Sequence, residues 1–104
     1  MPTYFYENLN RPFTASLRDT FDFPPHIHHQ VEVCVQIRGE QEVSVDGKRR
    51  TLESGDAALI LPNCVHSYRQ VTPGRCVLAI FDPSYAGAYM DRLQRAACAE
   101  PFVK

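Results

Sequence analysis

Hydrophobic and polar residues alternate along most of this chain. The clearest run has a valine or isoleucine at each odd position from Val31 to Ile37. Alternation with a period of two is typical of a β-strand that buries one face. Because successive side chains of a strand point to opposite faces, the even positions of this run share the other face of the strand.

Shorter runs of the same kind recur and are separated by residues that favour turns. Asp46-Gly47 predicts a tight hairpin. Pro24 and Pro25 cannot donate to a central ladder, so we expect the strand to restart at His26. Further turns are expected at Gly39, Ser54-Gly55-Asp56, Pro62-Asn63 and Pro73-Gly74. The predicted strands cover residues 4–7, 12–23, 26–38, 42–45, 48–52, 57–61, 65–71 and 76–81.

The pattern changes after residue 81. Asp82 followed by Pro83 is typical of the first turn of a helix. Gly87 weakens the helical pattern that follows. Apolar residues then recur at helical spacing, at Tyr85, Tyr89, Leu93 and Ala97. We therefore predict an all-β sandwich or barrel over residues 3–82, with one C-terminal α-helix over about residues 83–98.

Composition adds limits to this picture. A chain of 104 residues is expected to form one domain, residues 1–104. Its net charge of −1 lacks the basic surplus typical of proteins that bind nucleic acid. No apolar run approaches the roughly 20 residues that span a bilayer, and no signal-peptide pattern is present, so a cytoplasmic location is expected. The four cysteines form no Cys-x-x-Cys pair and are predicted to be free thiols.

Candidate chemistry is concentrated between His26 and His66. His26, His28 and Glu32 occupy even positions, so on one continuous strand they would project from the same face. A short bend near His29 would also bring Glu32 beside the histidines. Imidazoles with one carboxylate suit a divalent transition metal, such as Zn, Ni, Mn, Fe or Cu, and His66 is the best candidate for a fourth ligand. The alternative is a polar cluster without metal.

Other side chains near this set are candidate ligand contacts. Cys34 and Gln36 share the parity of Glu32, and Tyr68 shares that of His66. These three are therefore predicted to line a small-molecule pocket. For Gln36, the plainer interpretation is a polar residue at a sheet edge. His29 has odd parity and is expected to lie outside the site.

Two segments resemble the signatures of the cupin barrels. The run from His26 to Gly39 has the first signature, His-x-His, three residues, Glu, six residues and Gly. Gly55-Asp56, Pro62 and His66 resemble the second. The second is looser, because three of its usual residues are replaced, at Leu61, Asn63 and Gln70. The resemblance implies a small cupin fold, a double-stranded β-helix or jelly-roll barrel, whose metal ligands would be His26, His28, Glu32 and His66.

The C-terminal part narrows the resemblance. Phe-Asp-Pro-Ser-Tyr at residues 81–85, Tyr-Met-Asp-Arg-Leu at 89–93 and Pro101-Phe102 resemble the ligand-sensing N-terminal cupin domain of AraC-type transcriptional regulators. That resemblance implies a sensor that binds a small organic ligand, such as a sugar, inside the barrel. It implies that this chain itself contacts no nucleic acid, since DNA would be bound by helix-turn-helix segments after Lys104. A homodimer is expected, because the sheet edges and the apolar helix stripe need burial.

Two rival interpretations stay open. One is a small stand-alone metal-dependent cupin enzyme, an isomerase, dioxygenase or decarboxylase-like protein, because three histidines and a glutamate leave open positions on an octahedral metal. The other is a metal-free domain used for dimerisation. Gln36, Cys34 and Tyr68 are poor general bases near neutral pH. The sensor is therefore favoured, and no catalytic residue is predicted.

Overall fold

The computed structural model describes residues 5–6 and 12–103. In it, seven strands precede a single α-helix and an eighth strand follows it. The strands are β1 (Phe5–Tyr6), β2 (Phe13–Asp19), β3 (Phe23–Ile27), β4 (Val31–Val45), β5 (Lys48–Leu52), β6 (Ala57–Ile60), β7 (His66–Phe81) and β8 (Phe102–Val103). The helix α1 is Met90–Ala99, after two 3-10 turns at Pro83–Tyr85 and Gly87–Tyr89. The predicted class, all-β with one C-terminal helix, is confirmed. The ends of the strand predicted over residues 4–7 lie outside the described residues.

Two long antiparallel strands, β4 and β7, run through the whole sheet. The hydrogen-bonded order is β1-β3-β7-β4-β6-β8, with β2 also on β7 and β5 also on β4. One half of the sheet combines the start of β4 with the end of β7, and the other half combines their opposite ends. Side chains from both halves, among them Cys34 and Val43, belong to one buried cluster. The sheet therefore wraps around a common interior like a barrel.

The inward-facing positions of β4 switch parity along the strand. Even positions are buried before the switch and odd positions after it, at Glu32, Cys34 and Gln36 and then at Gln41, Val43 and Val45. Side chains of a regular strand alternate strictly, so an irregularity is required to change which set faces inward. The pairing with β7 is irregular at this point, between residues 36 and 41 of β4. Both halves of β4 therefore serve the same interior.

Close backbone contact marks this crossing. A Cβ added at Gly74 would overlap the carbonyl group of Arg38, and one at Gly39 would lie 2.5 Å from the carbonyl oxygen of Pro73. Gly39 also has a φ of +71°, which favours glycine. The turns predicted at Gly39 and at Pro73-Gly74 were therefore wrong. Both glycines lie inside continuous strands, where two backbones approach too closely for a side chain.

The prolines before the histidines lie within β3. The strand was expected to restart at His26, but it begins at Phe23 and includes Pro24 and Pro25. The β3–β7 pairing shifts register between Phe23 and His26, so the missing N–H groups fall where the ladder is irregular. The chain then leaves the sheet at His28 and re-enters it in β4. Of the two arrangements that the sequence allowed, the bend is therefore confirmed and the single continuous strand is not.

The helical segment also begins differently from the prediction. Asp82 precedes the first 3-10 turn, but its carboxylate does not cap that turn. Instead, Asp82 Oδ1 accepts a hydrogen bond of 3.0 Å from Gln30 Nε2. The α-helix starts only after Gly87, whose φ is +53°. Within the described part of the chain, no helix is long and apolar enough to cross a bilayer.

Candidate metal centre

Four buried side chains converge from three strands and one bend. His26 lies on β3, His28 in the bend after it, Glu32 near the start of β4 and His66 at the first position of β7. Each is only 1 % exposed. Their potential ligand atoms all lie within 4.8 Å of one another. The structure thus brings together the four residues that the sequence singled out.

Strand pairing explains this convergence. His26 and His66 are direct partners across the β3–β7 ladder, with ring centroids 4.0 Å apart. The bend then returns the chain, so that His28 packs edge-on against His66 with centroids 4.8 Å apart. Glu32 follows in β4, on the even face that points inward. The site therefore depends on long-range pairing as well as on the local His-x-His pattern.

Each histidine is tethered to a backbone carbonyl through Nδ1. The Nδ1 atoms of His26, His28 and His66 lie 2.9, 3.0 and 2.9 Å from the carbonyl oxygens of residues 24, 30 and 64. Because a carbonyl oxygen only accepts, each Nδ1 carries the proton and donates it. Nε2 is then the ring atom with the lone pair. Such tethering of the remote nitrogen is typical of histidines that bind metal through the other one.

The contacts around Glu32 test whether a cation fits. His28 Nε2 lies 2.9 Å and His66 Nε2 3.4 Å from Glu32 Oε1. In neutral rings with protonated Nδ1 atoms, these lone pairs face a carboxylate, which is repulsive unless a cation lies among them. A proton on His28 is the metal-free alternative. The donor set, three imidazoles and one carboxylate, therefore fits a divalent transition metal.

The protonation states also suit metal binding. Burial, with a smaller contribution from the charge of His66, lowers the pKa of His26 from 6.5 to about 4. Burial alone would raise the pKa of Glu32, but hydrogen bonds from the His28 and His66 rings when these are protonated, and the one that the Tyr68 hydroxyl donates to Oε2, lower it from 4.5 to about 2. Near neutral pH, His26 is therefore neutral and Glu32 ionised, as ligation requires.

For the metal-free protein, we expect the free energy of unfolding to decrease as the pH falls from 6.5 to about 4. The pKa of His26 is lower in the folded state than in the unfolded chain, so between pH 6.5 and about 4 the unfolded chain binds more protons at this residue. Glu32 acts in the same direction from its ordinary pKa of 4.5 down to about 2. Urea denaturation across these buffers measures the slope.

Matched variants identify the source of this slope. His26→Gln should remove most of the pH dependence above the range where Glu32 titrates, because Gln does not titrate. His29→Gln, at an exposed position, should keep it. A stability that is flat or that rises on acidification from pH 6.5 to about 4 would contradict the assignment.

A cavity of about 240 Å³ opens beside the four-residue cluster. Tyr68 lies in its wall, and its predicted contact with a ligand stays a prediction. Cys34 and Gln36 are buried, but neither lines this cavity: Cys34 Sγ accepts a hydrogen bond from Gln41 Nε2 at 3.4 Å, and Gln36 Nε2 donates to the carbonyl oxygen of Arg38 at 3.0 Å. Their contact with a ligand stays a prediction.

Sequence analysis missed most of the cavity wall. The unpredicted lining residues are Arg18, Phe21, Asp22, Phe23, Leu78 and Ile80. The spacing of Phe21 and Phe23, directly before the histidines and with the same parity as each other, was a usable signal for two of them. No local pattern indicated Arg18. Cys34, Cys64 and Cys76 form no disulfide, as predicted, whereas the side chain of Cys98 lies outside the described structure.

Comparison with known proteins agrees with this architecture. An "Uncharacterized protein" of Aquifex aeolicus (strain VF5) is 36 % identical over 64 residues, which are 61 % of this chain and 53 % of that protein. The match therefore spans about half the length of that relative. Among solved structures, an RmlC-like cupin from Shewanella frigidimarina NCIMB 400 has a TM-score of 0.61 and 24 % identity, over 69 % of this chain and 68 % of that one.

A second solved structure leads to the same fold. A Cupin 2 conserved barrel domain protein from Salinispora arenicola CNS-205 has a TM-score of 0.59 and 24 % identity, over 85 % of this chain and 75 % of that one. The predicted cupin barrel is thus confirmed. Residues 14–102 match the AraC-like ligand binding domain family. The chain therefore belongs to the AraC-like ligand binding domain family, and its fold is that of the cupin barrels.

Proposed function

We propose that this chain is the sensor domain of an AraC-type transcriptional regulator, and that it holds a divalent metal and binds a small organic ligand in its barrel. The metal would be held by His26, His28, Glu32 and His66. When bound, it supplies a positive charge and a Lewis-acidic site at the inner end of the cavity. Tyr68 keeps Glu32 oriented and forms part of the ligand cavity.

One observation carries the metal proposal. All three histidines donate from Nδ1 to the backbone, and His28 and His66 turn Nε2 towards the carboxylate of Glu32. Without a metal, one of these rings would have to carry a second proton to donate to Glu32, which already accepts the Tyr68 hydroxyl. Buried hydrogen-bond acceptors that face one another are destabilising unless a donor or a cation lies between them. A shared cation compensates all of them together.

Binding without turnover is favoured by the cavity's remaining groups. Burial, and after it the charge of Glu32, raises the pKa of Tyr68. The Tyr68 hydroxyl donates a hydrogen bond to the Glu32 carboxylate. Asp22 lies at the exposed end, where Oδ1 accepts the backbone N–H of Gln70 at 2.7 Å. Neither group is placed to exchange protons with a ligand bound beside His26. The rival enzyme would require such a group.

A path of direct contacts supports the sensor role. The carbonyl oxygen of Gln30 accepts a hydrogen bond from His28 Nδ1. The side chain of Gln30 donates a hydrogen bond to Asp82, where the helical segment begins. Phe102, near the end of the chain, is buried in the same cluster as Tyr68. Ligand-dependent shifts of the bend would therefore reach the C-terminal part. In a full regulator, that part would connect to DNA-binding segments beyond residue 104.

Elemental analysis tests the metal centre. Protein purified without chelator is expected to contain about one divalent transition-metal ion per chain, since the four donors form one site. Dialysis against a chelator should remove the ion, and metal reconstitution should restore it. Less than about a tenth of an equivalent after reconstitution would leave the cluster as a polar network and sink the proposal.

We also propose that the chain forms a homodimer through an aromatic surface. Phe13 and Leu17 on the edge strand β2 are 50 % and 57 % exposed, and Tyr85 and Tyr89 are 59 % and 65 % exposed. The rings of Phe13 and Tyr85 lie 5.7 Å apart, so strand and helical segment share one patch. Apolar patches of this kind are typical of protein interfaces.

Sedimentation tests this association. The wild-type chain is expected to sediment as a dimer at micromolar concentrations, and Leu17→Glu is expected to give a monomer by placing a charge in the interface. Val71→Glu, at a position that is 42 % exposed outside the patch, serves as the control and should stay dimeric. A wild-type chain that remains monomeric at high micromolar concentration would count against the dimer.

A further inference from the structure

The cavity beside the candidate metal centre changes character from one end to the other. Its inner end is formed by the buried His26 and Glu32, and its outer end by the exposed Arg18 and Asp22. The rest of its lining consists of four apolar side chains and one tyrosine ring: Phe21, Phe23, Leu78, Ile80 and Tyr68. A ligand that fills this space needs an apolar body and a charged or polar group at the outer end.

Arg18 is held at the outer end by an aromatic ring. Its guanidinium carbon lies 4.6 Å from the centre of the Phe21 ring, within the range of a cation–π contact. Phe21 in turn packs against Tyr68 with centroids 4.6 Å apart. Since Tyr68 also contacts Glu32, direct contacts link Arg18 to the inner end of the cavity.

No nearby carboxylate among the described residues forms an ion pair with Arg18. Asp19 pairs with Arg75, at 3.3 Å, and Asp22 accepts a backbone N–H. Over the described residues, Arg18 forms no hydrogen bond or ion pair with another side chain. Its N–H donors are therefore available to a ligand, and the planar guanidinium matches a carboxylate in geometry.

The charges around the cavity select the charge of the ligand. Glu32 and Asp22 are negative and Arg18 is positive, so without a metal the surroundings are negative by one charge. A divalent cation at the cluster makes them positive by one charge. A monoanion then balances the cavity, a cation is repelled, and an uncharged sugar leaves Arg18 without a charged partner.

We propose that this cavity takes a small carboxylate monoanion with an apolar body, and that Arg18 binds its carboxylate at the outer end. The proposal rests on the proposed metal centre, because the charge balance requires the cation. The family resemblance implied a sugar as the ligand, and this proposal replaces the sugar with a carboxylate. Arg18 is thus the residue that sets ligand specificity.

Three probes of nearly equal shape test the proposal: benzoate, benzamide and benzamidine, which are anionic, neutral and cationic. Isothermal titration of the metal-loaded chain is expected to show benzoate binding at least about tenfold more tightly than benzamide, because a charge-assisted pair replaces a neutral one. Benzamidine should show no binding. L-arabinose, a neutral sugar, should bind more weakly than benzoate.

Matched arginine variants locate the carboxylate. Arg18→Gln should remove the preference for benzoate over benzamide, while Arg18→Lys should keep part of it. Arg92→Gln is the control, since Arg92 also lies over a ring, 5.9 Å from the centre of Tyr89, but does not line the cavity. Arg92→Gln should leave the preference unchanged. Circular dichroism checks that each variant is folded.

The outcomes separate this inference from the proposed function. Metal content is measured before the probes are added. A chain that takes up no metal overturns both the metal centre and the ligand class. A metal-loaded chain that binds benzamide or L-arabinose as tightly as benzoate, or keeps its preference for benzoate in Arg18→Gln, overturns the inference alone.

Discussion

Replacement of His66 by alanine is expected to weaken metal binding by about 100-fold or more. Loss of a supporting contact alone can weaken a metal site by 10–100-fold, and this substitution removes a ligand itself. His66 also pairs with His26 across the sheet, so its loss opens space on one side of the cluster. Competition with a chromophoric chelator measures the change.

His29→Ala is the matched control for this experiment. His29 is a neighbouring histidine of the same sequence motif, but it is exposed in the bend and lies outside the cluster. Its substitution should leave metal affinity unchanged. Equal losses in both variants would mean that the metal is bound at the protein surface and not by the buried cluster.

Gly74→Ala is expected to lower the free energy of unfolding by about 3 kcal/mol, at the upper end of the cost of overpacking. The added Cβ would meet the backbone of residues 38 and 39, which cannot move aside by rotating a side chain. For a domain of this size, the melting temperature should fall by more than about 10 °C. Thermal and urea denaturation measure both quantities.

Gly55→Ala separates this overlap from ordinary backbone strain. Gly55 has a φ of +91°, but nothing lies within 4 Å of a Cβ added there. Its substitution should cost only about 1 kcal/mol, as expected for a residue forced into a left-handed conformation. Equal stability of Gly74→Ala and the wild type would show that the two strands separate easily at this crossing.

The sequence predicted those elements that local chemistry determines. Asp46-Gly47 forms the expected hairpin, with φ of +48° and +86°, and β5 spans the predicted residues 48–52. Here the turn residues and the alternating strand patterns beside them lie within a few positions of one another and indicate the same hairpin. Gly39 and Gly74 could not be assigned in this way. A glycine permits both a turn and a strand irregularity, and only the pairing of β4 with β7 decides between them.

The candidate site shows the same division. The His-x-His spacing identified His26, His28 and Glu32 because these residues are close along the chain, although a bend and not one continuous strand brings them together. The donation from Tyr68 to Glu32 joins residues 36 positions apart, and Arg18 reaches the cavity from another edge of the sheet. Such contacts depend on how the sheet curves, which no periodicity in the sequence encodes.

The carbonyl tethers of the three histidines have a consequence for how the family can diverge. The oxygen atoms that orient the rings belong to the main chain of Pro24, Gln30 and Cys64. Substitution of those side chains leaves the oxygen atoms in place as long as the backbone keeps its course. Homologous chains can therefore drift at these three positions and inherit the same ring orientations. A search for lost metal sites among relatives should follow the backbone path around the histidines and not the identity of their neighbours.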